Sequence, residues 1–151
     1  MNAPILTETE LLRVAGDERA HRKSIAFANG VFDVLHVGHI RYLQEASKEA
    51  DVLIVGVNGD DSVRAIKGEG RPVTPEHERA ELVAAIRGVS YVTIFHDSSP
   101  SRLIAVLKPD VHCKGTDYAA FFSVQSAQKA KLYDKEAANA NARLSTQLPY
   151  I

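Results

Sequence analysis

The sequence predicts an α/β protein, a doubly wound parallel sheet of about five strands with helices on both faces. Short apolar, β-branched runs alternate with longer stretches whose apolar residues recur at helical spacing. Turn signals such as Asn29-Gly30 and Asn58-Gly59-Asp60 close the strand-like runs. The chain has 151 residues, 45% hydrophobic and 25% charged, which is enough for one packed domain and short for two.

Thr7 to Val14 is predicted as a short helix, with Thr7 and Glu10 as capping-box partners and Leu11, Leu12 and Val14 as its apolar side. Gly16-Asp17 should end it inside a lead-in covering about residues 1–23. Ser24 to Asn29 reads as the first buried strand. Val37 to Ala50 reads as a helix, with Ile40, Leu43 and Ala46 on the sheet side. Val52 to Val57 is a second strand, and Asp61 to Ile66 a short helix before Gly68-Glu69-Gly70. A helix through Glu76 to Arg87, capped by Thr74 with Pro75 in its first turn, should turn Leu82, Val83 and Ile86 inward. Tyr91 to Phe95 is a third strand. Pro100 to Leu107 is a helix packed through Leu103, Ile104 and Leu107, and Asp110 to Lys114 is a fourth strand. The order is that of a Rossmann-like sheet. Ala, Lys, Gln and Asn dominate beyond Ala119, and a helix from Phe121 to Ala138 is expected there, with Phe121, Phe122, Val124, Leu132 and Tyr133 as its apolar residues.

Composition excludes several function classes. Lys plus Arg is 18 against 19 Asp plus Glu, so bulk positive charge does not hold the chain to nucleic acid. The single cysteine, Cys113, forms neither an intrachain disulfide nor a multi-cysteine zinc site. Val52–Val57 is far too short to span a bilayer, and Met1 to Ala20 lacks the layout of a secretion signal. The expectation is a cytoplasmic, single-domain protein over 1–151 with no nucleic-acid or membrane partner.

The chemistry concentrates in Asn29-Gly30-Val31-Phe32-Asp33-Val34-Leu35-His36-Val37-Gly38-His39. A strand, a loop and a helix start follow one another there. In a doubly wound sheet, ligands bind outside the carboxyl ends of the strands, and a helix N-terminus offers N–H groups to phosphate. His36 and His39 would project from one side of the first helical turn, each able to donate a ring N–H, and Gly38 leaves room for close approach. The alternatives are structural histidines or a zinc pair. No third ligand and no H-E-x-x-H pattern stand beside them. His21, His77, His96 and His112 read as surface or structural residues, and Cys113 as a small core residue.

NGVFDVLHVGHIRYL resembles the nucleotide-binding signature of the cytidylyltransferase-like nucleotidyltransferases. The resemblance runs through VNGDDSVRAIKGEGRPVTPEHER to DVHCKGTDY. Lys67 to Arg79 and Lys114 to Tyr118 make the chain most similar, within that superfamily, to the D-glycero-β-D-manno-heptose 1-phosphate adenylyltransferases. The resemblance implies transfer of AMP from ATP to a sugar 1-phosphate, with pyrophosphate released and an ADP-sugar formed for bacterial surface polysaccharide. It implies His36, His39 and Lys67 as catalytic residues. Asn29, Gly30, Val31, Phe32, Gly38, Arg79, Lys114, Gly115 and Asp117 would join the two histidines around the nucleotide. Asp33, Lys67 and Arg71 would meet the acceptor. Asp33 otherwise orders the phosphate loop, Lys67 and Arg71 otherwise are solvated loop charge, and Asp117 otherwise caps a helix. Mg²⁺ would arrive bound mainly by the triphosphate. A homodimer is implied, with Phe121-Phe122 as a contact surface.

The pattern departs from the family beyond Tyr118. Relatives carry an S-T-T sequence opening a last helix, whereas here Ser145-Thr146 is followed by Gln147, and Ile151 leaves no room for that helix. Ser145 and Thr146 carry over as nucleotide-binding residues on this match alone. Two other readings remain: a cytidylyltransferase using CTP and glycerol 3-phosphate or a related alcohol phosphate, and a non-catalytic nucleotide-binding protein.

Overall fold

The computed structural model describes residues 1–115 and the backbone of 123–124 and 144–148. Helix α1 (Glu8–Ala20) is followed by β1 (Ile25–Gly30), α2 (Val37–Ala46), β2 (Val52–Asn58), α3 (Asp60–Lys67) and α4 (Glu76–Ala84). Then come β3 (Tyr91–Phe95), α5 (Ser101–Leu107), β4 (Val111–Gly115), β5 (Ser123–Val124) and β6 (Leu144–Leu148).

The strands form one six-stranded sheet in the order β3-β2-β1-β4-β6-β5. Every pairing is parallel except that of β5 with β6. The strands run outward from β1 to β2 and β3, then resume on its other side with β4. This reversal makes the crevice beyond the carboxyl ends of β1 and β4 the topological switch point.

Alternation along the strands divides the core in two. Ala26, Ala28, Leu53 and Val55 face Tyr42, Leu43 and Ala46 of α2 and Ala80 and Val83 of α4. Ile25, Phe27, Val52 and Ile54 face Leu11 and Ala15 of α1 and Leu103, Ile104 and Leu107 of α5. Helices thus cover both faces, as expected from the sequence.

Helix α1 starts with the expected capping box: Glu10 N–H donates to Thr7 Oγ1 at 3.2 Å, and Thr7 N–H to Glu10 Oε1 at 3.0 Å. It does not stop at Val14. Ala15 is buried in the core, and Arg19 beyond Gly16 donates to the Lys108 carbonyl at 2.7 Å and to that of Leu107, capping the carboxyl end of α5. Helix α2 ends at Ala46, before the expected Ala50, where Ser47 Oγ donates to the Gln44 carbonyl at 2.6 Å. The N-cap of α4 is Pro75 and not Thr74, and the helix ends at Ala84. Its buried side runs through Arg79, Ala80, Val83 and Ala84, which turns Leu82 outward against expectation. Ile86, just past the helix, is buried as expected.

The C-terminal reading is corrected at two places. Ser123–Val124, expected in a helix, is strand, because its backbone pairs with Thr146 and Gln147. Ser145 and Thr146, carried over as nucleotide-binding residues from a sequence that opens a helix in relatives, lie inside β6, level with His112 and Cys113. The rest of the expected helix, with Phe121, Phe122, Leu132 and Tyr133, lies outside the described residues.

Among the described residues no helix is long and apolar enough to cross a membrane.

Candidate functional site at the switch point

The loop leaving β1 is shaped by Gly30. A Cβ there would stand 3.1 Å from the Phe32 ring, so any larger residue would press aside the ring that folds back over the strand end. Phe32 is buried, with its ring edge-on to His39 at a centroid distance of 5.6 Å. Its side chain therefore supports His39, and only its backbone is left to meet a nucleotide. Phe32 and Val34 both adopt left-handed backbone, at φ 53° and 51°. For an exposed β-branched valine this is unusual, and it holds the turn immediately before the histidine pair.

His36 is the N-cap of α2 and His39 its third residue, so the spacing of the two is that of a capping box. Both halves of the box are made by imidazoles. Gly38 N–H donates to His36 Nδ1 at 3.0 Å, and His36 N–H donates to His39 Nδ1 at 3.1 Å. The rings lie close together, centroids 4.0 Å apart and 34° from parallel. A ring nitrogen that accepts an N–H carries no proton, so each neutral ring carries its proton on Nε2. The cap thus selects the tautomer, with the proton on Nε2 of both rings, at the N-terminal and positive end of α2. His36 precedes the helix and does not sit on its first turn, a refinement of the spacing argument.

Asp33 organises the neighbouring loop. Its carboxylate accepts from Val73 N–H at 2.8 Å and Thr74 N–H at 3.0 Å, with Arg71 Nη1 at 3.6 Å. Burial alone would raise its carboxyl. The two backbone N–H groups, helped by the charges of Arg79 and Arg71, outweigh that and hold it below the usual carboxylate range. The carboxylate thus holds the loop that leads into α4. Thr74 spends its N–H on Asp33 and its carbonyl on Arg79, which accounts for its absence from the α4 cap.

Arg79 is fully buried. Its Nε donates to Thr74 O at 2.8 Å, its Nη1 to Val31 O and Asn58 O at 2.7 Å each, and its Nη2 to Asp60 Oδ1 at 2.8 Å. The expectation of an arginine facing phosphates is corrected accordingly. The guanidinium has no exposed surface and instead ties together the loops after β1 and β2 and the entry to α4. Asn58 and Asp60, read in the sequence only as a strand-closing turn, are the partners that reading missed. The signal was an arginine on the core-facing side of an amphipathic helix, which requires buried acceptors.

The other site residues fall as follows. Lys67 is the exposed last residue of α3, and Arg71 is exposed on the loop beyond it. Lys114 and Gly115 end β4, across the switch point from the β1 loop. Asn29 stands at the end of β1, where its Oδ1 accepts from Nε2 of buried His112 at 2.9 Å. Tyr42 donates its hydroxyl to the Cys113 carbonyl at 2.8 Å, fastening α2 to β4. Burial, with a smaller push from Glu49, takes the Cys113 thiol up to about 12, so it is a core residue and no nucleophile. Ser145 and Thr146 lie within the sheet, with Lys114 and Gly115 beyond their level on the carboxyl edge. Asp117 lies outside the described residues.

The structure therefore gathers the histidine pair, the β1 loop, the Asp33–Arg71 loop and the end of β4 around one edge. Such an arrangement suits a polyanion. A cytidylyltransferase-like family model matches residues 27–144. The chain is 45% identical over 127 residues to the bifunctional protein HldE of a Nitratiruptor species, covering 83% of this chain and 28% of that protein. It is 54% identical over 101 residues to the bifunctional protein HldE of Geobacter metallireducens, covering 67% of this chain and 21% of that one. It spans about a quarter of the length of these curated relatives. Among solved structures, the lipopolysaccharide core biosynthesis protein from Thermoplasma volcanium superposes with a TM-score of 0.67 at 27% identity, covering 85% of this chain and 98% of that one.

Proposed function

The chain belongs to the cytidylyltransferase-like family, and from that premise we propose that it transfers AMP from ATP to a sugar 1-phosphate, D-glycero-β-D-manno-heptose 1-phosphate. The resemblance of its Lys67–Arg79 and Lys114–Tyr118 segments and its similarity to the HldE proteins support the heptose acceptor. The observation that carries the reading is the imidazole capping box at the switch point.

An acceptor phosphate oxygen attacks the α-phosphorus as the bond to the β-phosphate breaks, and pyrophosphate leaves. Little covalent chemistry is asked of the protein, so positioning and electrostatics dominate. The Nε2–H groups of His36 and His39 donate to phosphate oxygens, and the first N–H groups of α2 add their dipole. Lys67 closes from the α3 end over the reacting phosphates, and Arg71 assists from its loop. Asp33 and Arg79 act through others, holding that loop and the Val31 carbonyl in place. Asn29, Gly30, Val31, Phe32 and Gly38 offer backbone to the nucleotide, Lys114, Gly115 and Asp117 its base and ribose side.

Mg²⁺ fits as a passenger on the triphosphate. Asp33 and Asp60, the carboxylates beside the β1 loop, are already engaged by backbone N–H groups and by Arg79. When bound, the ion offsets negative charge on the phosphate oxygens. A homodimer remains part of the proposal, to be read by sedimentation.

The test is a screen of all four nucleoside triphosphates with Mg²⁺ against sugar 1-phosphates and alcohol phosphates, reading pyrophosphate. ATP with heptose 1-phosphate should give the highest kcat/KM. Preference for CTP with glycerol 3-phosphate would move the chain to the cytidylyltransferase reading. Tight ATP binding without turnover on any acceptor would leave a nucleotide-binding protein.

A further inference from the structure

We propose that Asp61, Glu76 and His96 form a site for one divalent transition-metal ion of the zinc class, separate from the phosphate site. The three arrive from different elements: Asp61 from the first turn of α3, Glu76 from the start of α4, and His96 from the residue after β3. One ligand atom from each lies within 4.8 Å of the other two, and among the described residues no other set of three does so. The donors are an imidazole nitrogen and two carboxylate oxygens. That set suits zinc, cobalt or nickel better than magnesium, which favours oxygen alone.

The convergence is built into the backbone at Gly59. A Cβ at that position would stand 2.5 Å from His96 Nδ1 and 3.1 Å from Glu76 Oε1. The missing side chain is what lets the ring and the carboxylate close over the turn after β2. His96 Nδ1 and Asp61 Oδ1 share a hydrogen bond of 3.0 Å, the contact that a metal ion would replace. A metal ion bound there would displace the ring proton of that hydrogen bond. Glu76 is oriented by the Asp60 N–H at 2.8 Å. Occupancy would pin the start of α3 to the start of α4, beside the Asp60 carboxylate that receives Arg79.

The test is titration of the nucleotide-free chain with Zn²⁺ by calorimetry and with Co²⁺ by visible absorption, which keeps it independent of nucleotidyl transfer. Wild type and His39→Ala should each bind one ion. His96→Ala and Asp61→Asn, both at exposed positions, should bind about tenfold more weakly or worse, and Zn²⁺ should raise the Tm of wild type but not of His96→Ala. Absence of saturable binding, or undiminished affinity in His96→Ala, would overturn the site. Loss of binding in His39→Ala with retention in His96→Ala would place the ion on the histidine pair instead.

Discussion

His36 and His39 do the work that Ser and Glu do in an ordinary capping box, each through its Nδ1. Cap and chemistry can be separated by His36→Ser. Serine is a good N-cap, so stability should stay within about 1 kcal/mol of wild type, while losing the Nε2–H donor should lower kcat by about a hundredfold or more. Urea unfolding and pyrophosphate release read the two effects. Asp33 gives a pH signature. Its carboxyl is held low in the folded protein, so its stabilising contribution is complete above the unfolded value of about 4 and fades as pH falls through the folded value. The stability advantage of wild type over Asp33→Asn should therefore be present at neutral pH and vanish in acid. The histidine spacing was legible in the sequence because it follows a strand and an Asn-Gly turn. Which ring nitrogen caps was not, because that depends on three-dimensional N–H directions.

Each described helix and strand up to β4 was legible from periodicity and turn residues, and the misplacements have local causes. Helix α1 ran past Gly16 because Arg19 found the end of α5. Thr74 left the α4 cap because Asp33 and Arg79 took its backbone. Arg79, which the family resemblance turned toward the phosphates, is buried instead, because its acceptors come from the loops after β1 and β2 and no local pattern shows them. Its fate predicts a stability phenotype. Arg79→Ala strands the Val31, Asn58 and Thr74 carbonyls and the Asp60 carboxylate, and should cost about 3 kcal/mol or more in urea unfolding. An effect within about 0.5 kcal/mol, the range of an ordinary surface substitution, would contradict a buried hub.

The order of the strands lies beyond any local pattern, and it decides where the site is. A parallel α/β sheet follows from alternation alone, but only the reversal between β1 and β4 brings Lys114 and Gly115 across from the histidines. The β6 strand escaped because EAANANAR before it and Gln147 within it carry no strand signal, and its pairing with β4 is a long-range event. At the opposite edge, residues before α1 pair with β3: Leu6 N–H donates to Val92 O at 2.8 Å and Val92 N–H to Pro4 O at 3.0 Å. Removing residues 1–6 should uncover that edge and raise light scattering at concentrations where the full chain stays dispersed. Two imidazoles meeting phosphate through Nε2 are the centre of the proposed chemistry, and ¹⁵N NMR of the histidine rings tests it most directly. It predicts that the neutral rings of His36 and His39 carry their protons on Nε2 and that ATP shifts those two nitrogens. Protons on Nδ1, or rings indifferent to ATP, would contradict it.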